Sequence, residues 1–200
     1  MHRTTLLAAL PLLLLAGSAA AGPKDDLAAF KASFSDKNSA TVDRLEQSNT
    51  QRLCSQDAQR PLKPAQRQKL EQEALASVRY PADGNFLGDW KEGEKIAQNG
   101  RGLQSSDPKN APNGGNCYAC HQIAPKEIAF GNIGPSLTQY AKLRGTSPEI
   151  LKYTWAKIYN SHSFMACSTM PRFGASGILT EQLIRDVMAL LLDPASPVNQ

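Results

Sequence analysis

The sequence predicts an all-α fold, and three observations carry that prediction. Apolar residues recur at helical spacing in several stretches, no stretch alternates apolar and polar residues over the length of a strand, and Gly-, Pro- and Asn-rich segments separate the helical ones. The elements can be justified in chain order.

The chain begins MHRTTLLAALPLLLLAGSAAAGPKDD. His2 and Arg3 precede an apolar run from Leu6 to Ala16, and small residues end at Ala21, the pattern of a secretory signal peptide over residues 1–21. The run is shorter than the roughly 18–20 residues of a membrane span. No cysteine follows it where a lipoprotein signal needs one, so the expectation is a soluble protein exported to the periplasm. Loss of that segment leaves 21 basic and 18 acidic residues, a formal +3 with the signs interspersed, which argues against nucleic-acid binding.

Residues 22–84 read as a helical extension. PAQRQKLEQEALASVRY places Leu70, Ala74 and Val78 on one face behind Pro64, and TVDRLEQSNTQRL suggests a second short helix. Neither stripe is wide enough for an independent core, so the extension is expected to pack on the main domain or on a partner. Residues 85–200 form that domain. GDWKEGEKIAQNG is a helix ended by Gly100, a loop follows to Asn116, and a short helix is expected near Leu137–Leu143. TSPEILKYTWAKIYN has Ser147 as N-cap and Pro148 at the first helical position. LTEQLIRDVMALLLDP closes the domain with Leu183, Ile184, Val187, Met188 and Leu191 on one face. Short helices between long loops call for something further at the centre.

GGNCYACHQI supplies it. Cys117, Cys120 and His121 form C-x-x-C-H in a chain with only four cysteines and three histidines, an arrangement expected by chance on the order of one time in a thousand. In covalent haem attachment two thiols add to the porphyrin vinyl groups, two intervening residues let one backbone turn present both sulfurs, and the next residue offers its imidazole to the iron. A thioredoxin-like pair needs a βαβ setting that this chain lacks, and zinc needs further ligands at finger-like spacing. A plain Cys117–Cys120 disulfide is the bland reading. Export, an all-helical loop-rich domain and the adjoining histidine favour one haem c, and hence a c-type cytochrome. Ile123, Ile133, Leu137, Trp155 and Phe173 are candidate wall residues, each equally consistent with ordinary packing.

The loop SHSFMACSTMPRFG offers Met165, Met170, His162 and Cys167 as the sixth ligand. Met170 is preferred, because Pro171 holds it extended in a loop. A thioether ligand raises the reduction potential, which suits an electron acceptor. Cys54 and Cys167 remain, and in an oxidising compartment a leftover pair is most simply a disulfide. In the chain-entropy model so long a loop contributes up to roughly 4–5 kcal/mol. The competing reading is a free or catalytic Cys167 thiol near the iron.

The ordered motifs GNCYACH, GNIGPSL and CSTMPRFG, followed by GILTEQLIRDVMALLLDPASPVN, resemble SoxX, the small cytochrome subunit of the SoxAX complex of bacterial thiosulfate oxidation. The likeness covers about residues 85–198. It implies a class I cytochrome c fold with Cys117 and Cys120 as attachments, His121 proximal and Met170 distal. It also implies that Gly134-Pro135 supports the histidine side. The implied partners are a SoxA-like cytochrome in a heterodimer, a SoxYZ-like sulfur carrier, and a soluble cytochrome as electron acceptor. In that family the enzyme is an L-cysteine S-thiosulfotransferase that oxidatively joins thiosulfate to a carrier cysteine. The resemblance implies that this chain is its non-catalytic electron-accepting subunit, with no acid, base or nucleophile assigned. A free periplasmic electron carrier is the alternative, and a sensor with an open iron site is a third.

Overall fold

The computed structural model describes residues 23–200, so the expected signal segment lies outside the described residues. The described chain is all-α: seven helices joined by turns and long loops, with only an isolated Lys37–Ala40 bridge in extended pairing. It divides into two compact units. The first ends at Ser35, and its described part holds α1, Pro23–Ala32, which the sequence reading did not single out. There the Phe30 and Phe34 rings meet edge to face at 4.9 Å.

The second unit runs from Asp36 to Gln200 and takes in residues 36–84 together with 85–200. Within the expected helix over TVDRLEQSNTQRL, a single 3-10 turn at Val42–Leu45 is followed by a separate helix, α2, Asn49–Asp57. The break has a local cause. Ser48 accepts the Gln51 N–H while the Gln51 side chain accepts the Ser48 N–H, a reciprocal cap that starts a new helix there. α3, Pro64–Ala76, begins with Pro64 in the first turn and buries Leu70 and Ala74. Val78 lies beyond its end and packs against the main core. Asp57 joins α2 to α3. It accepts the Leu62 N–H at 2.6 Å, and both its oxygens accept from the Arg67 Nη2, which together hold its carboxyl below the ordinary range.

The main core is organised by α4, Trp90–Gln98, crossing α7, Glu181–Leu192. Asp89 caps α4 by accepting the Lys91 N–H, and Thr180 caps α7 by accepting that of Leu183. α4 ends without an αL glycine. Asn99 turns extended, at φ −86° and ψ 116°, and its side chain accepts the Arg101 N–H, so Gly100 is not the stop expected of it. At the crossing Gly93 faces the Asp186 backbone so closely that a Cβ there would overlap it. Buried Asp186 accepts from the Asp89 N–H and the Gln182 amide, both at 2.9 Å.

α5, Tyr140–Arg144, is shorter and later than expected, and α6, Pro148–Tyr159, matches its expected caps Ser147 and Pro148. Ile96, Ala97, Trp155, Ile184, Met188 and Leu190 are buried between these helices. The C-terminal tail closes α7. Ser196 Oγ donates to the Leu190 carbonyl, Asn199 Nδ2 donates to that of Leu191, and Asn199 Oδ1 accepts the Ala141 N–H.

Substituting Gly93→Ala forces the two helices apart and is expected to cost about 2–3 kcal/mol by overpacking. A urea midpoint lowered at unchanged slope checks this; an unchanged midpoint contradicts it.

Candidate functional site: the C-x-x-C-H turn and the methionine loop

The motif hangs from the C-terminal end of α4. The Ile96 carbonyl, which also takes the Asn99 cap N–H, accepts the Gly115 N–H at 2.9 Å, and the Asn99 carbonyl accepts that of Asn116 at 3.0 Å. Asn116 then turns left-handed, at φ 48°, and a 3-10 turn spans Cys117–Ala119. The Cys117 carbonyl accepts the N–H groups of both Cys120 and His121. One compact turn therefore carries both thiols and the imidazole.

Cys117 and Cys120 are unbonded. Burial pushes the Cys117 thiol up to about 12. A redox-active C-x-x-C thiol is shifted the other way, so the turn is poorly suited to thiol–disulfide exchange. Among the described residues no three His, Cys, Asp or Glu side chains converge as a metal cage.

His121 is oriented by the segment after the motif. Its Nδ1 lies 2.8 Å from the Pro135 carbonyl oxygen. A carbonyl only accepts, so Nδ1 carries the hydrogen, and in the neutral ring Nε2 keeps its lone pair. The same segment is laced to the turn by Gly131 N–H to Tyr118, Gly134 N–H to Cys120 and Leu137 N–H to Gln122, at 2.7–2.8 Å. Gly134 lies against the imidazole face, and a Cβ there would overlap the ring. Of the candidate wall residues, Ile123, Trp155 and Phe173 are buried and Leu137 is half-buried. Ile133 is 72% exposed, an apolar side chain with a large unfilled contact face beside the histidine segment.

An open depression of about 710 Å³ is lined by Tyr118, Ala119, Phe130 and Gly131 with Gln98 and Glu127. Cys120, His121 and Met170 are not among its lining residues.

Met170 is half-buried against the same core as Cys117. Ser161 Oγ donates to the Met170 carbonyl at 2.5 Å, and the Ser168 hydroxyl accepts the Met170 N–H. The rival donors are placed differently. Met165 is 60% exposed, and Met188 is fully buried within α7. The His162 ring is engaged inside the loop, Nε2–H donating to the Ser168 carbonyl at 3.2 Å, with Nδ1 buried and unpartnered.

Cys167 is joined to Cys54 in a disulfide across 113 residues. It is therefore no free thiol. It sits at φ 62°, a conformation costing a non-glycine residue about 1–2 kcal/mol that its surroundings must offset. Sequence reasoning missed those surroundings. Glu71 Oε1 accepts the Ala166 N–H at 3.0 Å, Asn160 Nδ2 donates to Ser77 Oγ at 3.0 Å, and Trp155 Nε1–H donates to the Arg79 carbonyl at 2.8 Å. Leu62, Leu70 and Ala166 form a small second core with Leu53 and Cys167. Nothing in the spacing of Glu71 distinguishes it from the other charged residues of α3.

Burial, aided by the nearby Arg172 and Lys157 charges and opposed by the Ser168 bond, holds His162 below the ordinary 6.5. The unfolded chain takes up its proton at higher pH than the folded one. Stability is therefore complete above about pH 6.5, falls as pH drops from there to the lowered folded value, and levels off below it. Urea midpoints between about pH 5 and 8 are expected to show this slope in wild type and to lose it in His162→Gln, whose amide can still donate to Ser168. An equal slope in both proteins contradicts it.

No family model matches the chain. It is 41% identical over 155 residues to an uncharacterized lipoprotein of Aquifex aeolicus (strain VF5), an alignment covering 77% of this chain and 73% of that protein. No described helix is long and apolar enough to cross a membrane. At that identity and coverage, the chain belongs to the same family as the Aquifex aeolicus lipoprotein.

Proposed function

We propose that the chain is a mono-haem c-type cytochrome of class I fold. The observation that carries this reading is the His121 imidazole, fixed through Nδ1–H to Pro135 with Nε2 left free, directly beside two unbonded thiols. The residues present suit the group. Cys117 and Cys120 would hold it as thioethers, His121 and Met170 would ligate its iron, and Ile133 offers apolar surface that otherwise faces water. When bound, haem c supplies a one-electron couple. The chain's own contribution is to fix the imidazole tautomer, to present the thioether from a pinned loop, and to pack Cys117 and Met170 against the core that holds Ile123, Phe173 and Trp155.

The finer reading rests on the SoxX likeness. The chain serves as the electron-transfer subunit of a periplasmic heterodimer that couples thiosulfate to a carrier-protein cysteine, with the bond-forming site in a SoxA-like partner. Export is supported by the N-terminal pattern and by a relative whose printed name is that of a lipoprotein. The location proposed for this chain is the periplasm.

A second reading, a free periplasmic electron carrier, is favoured by one observation. The extension, expected to pack on the main domain or on a partner, is committed within the chain through Cys54, Glu71, Ser77 and Arg79, and a carrier needs no partner for it.

Size-exclusion chromatography of protein purified natively from the periplasm, with haem-stained denaturing gels of the peak, tests both layers. Haem that stays with this chain after denaturation is expected, and is expected to vanish in Cys117→Ser/Cys120→Ser. A second, larger haem-bearing chain at equal stoichiometry is expected in the same peak. A lone haem band at monomer size selects the free carrier, and a chain without haem overturns the cytochrome reading.

A further inference from the structure

We infer that residues 36–84 act as a built-in positioning element for Met170, with Glu71 and the Cys54–Cys167 disulfide as its two grips. This inference rests on the haem reading above and goes beyond it, since it assigns a task to a segment that neither the motif nor the SoxX likeness explains.

The methionine loop has little structure of its own. After α6 it holds one 3-10 turn of three residues, Ser161–Ser163, and from Phe164 to Gly174 no helix or strand. Its internal ties are few: His162 to the Ser168 carbonyl, Ser161 to the Met170 carbonyl, Met170 N–H to Ser168 Oγ, and Ser168 N–H to the Met165 carbonyl. Those ties link residues 161–165 to 168–170, and Phe164 packs on Tyr153 of α6 with ring centroids 4.7 Å apart, which leaves Ala166 and Cys167 in the middle to be held from elsewhere. The extension holds that middle. The Glu71 carboxylate takes the Ala166 N–H, and the next residue, Cys167, is bonded to Cys54 on α2. Asn160, at the loop's entry, is tied to Ser77 just beyond α3, and Ala166 is buried against Leu62 and Leu70. Every one of these grips falls between Asn160 and Cys167, within ten residues before Met170. The α2–α3 pair is itself joined by the Asp57–Arg67 ion pair, Nη2 donating to both carboxylate oxygens. The segment therefore acts on the sulfur's position through Ala166 and Cys167, without touching it.

A thioether is a weak ligand, so its occupancy of the iron depends on how well the loop is pre-positioned. Loosening the grips lowers the fraction of molecules with Met170 on the iron and opens a coordination position.

The test uses full-length, haem-loaded protein matured in the periplasm. Its readouts are the red charge-transfer band of thioether-ligated ferric haem and the rate of carbon monoxide binding to the ferrous form, with circular dichroism reporting folding. Met170→Ala abolishing the band and admitting carbon monoxide confirms the ligand on which the inference depends. Cys54→Ser/Cys167→Ser is then expected to weaken the band and speed carbon monoxide binding on the order of tenfold while helicity stays unchanged. Glu71→Ala is expected to act in the same direction by several-fold, and Glu71→Gln, whose amide oxygen still accepts from Ala166, to stay near wild type. Folded Cys54→Ser/Cys167→Ser and Glu71→Ala proteins that keep the full band and exclude carbon monoxide overturn the positioning role while leaving the ligand reading intact. Should the double cysteine variant fail to fold, the Glu71→Ala and Glu71→Gln pair decides alone. A Met170→Ala protein indistinguishable from wild type removes the ligand reading, and the positioning role with it.

Discussion

The close approach of α4 and α7 at Gly93 is the contact on which the rest of the structure depends. Because residue 93 has no Cβ, the helix backbones come near enough for Asp186 to reach the Asp89 N–H, which holds the N-terminal end of α4 against α7 and so aims its C-terminal end. The Ile96 and Asn99 carbonyls at that end receive Gly115 and Asn116, so the turn bearing Cys117, Cys120 and His121 inherits its position from the crossing. The far end of α7 is closed by Ser196 and Asn199, which also hold the start of α5. A single small residue thus sets the frame in which the imidazole finds Pro135.

The helices of the main domain were legible because their signals are local. Ser147-Pro148, Asp89 and Thr180 act within one turn of their own helices, and the apolar face of Glu181–Leu192 is continuous. Where neighbours decide, local reading fell short. Asn99 ends α4 by turning extended to meet Asn116, a contact 17 residues away in sequence, so Gly100 was the wrong punctuation. The Ser48–Gln51 reciprocal cap splits a stretch whose apolar spacing alone suggested one helix. The motif itself was visible as a cluster of rare residues, and the Cys54–Cys167 pair as the remaining cysteines. The Glu71–Ala166 bond had no sequence signal, since a carboxylate on an amphipathic helix reads as solvated surface until its partner is known.

The two sides of the candidate site are built by opposite strategies. On the histidine side a short segment after the motif is laced to it by successive backbone bonds, and the ring is held between Pro135 and Gly134. On the methionine side the loop is irregular, carries a left-handed Cys167, and depends on residues more than 80 positions earlier in the chain. The first arrangement is local and stiff; the second stores its order in distant contacts. That asymmetry fits a site in which imidazole ligation is fixed and thioether ligation is adjustable.

Iron K-edge X-ray absorption of the oxidised, periplasm-matured protein tests the central claim most directly, because it counts the donors around the metal. Nitrogen donors of a porphyrin and one imidazole, together with a single sulfur that disappears in Met170→Ala, are expected. A protein without iron, or an iron with no sulfur donor in the wild type, would contradict the assignment of His121 and Met170 as the axial pair.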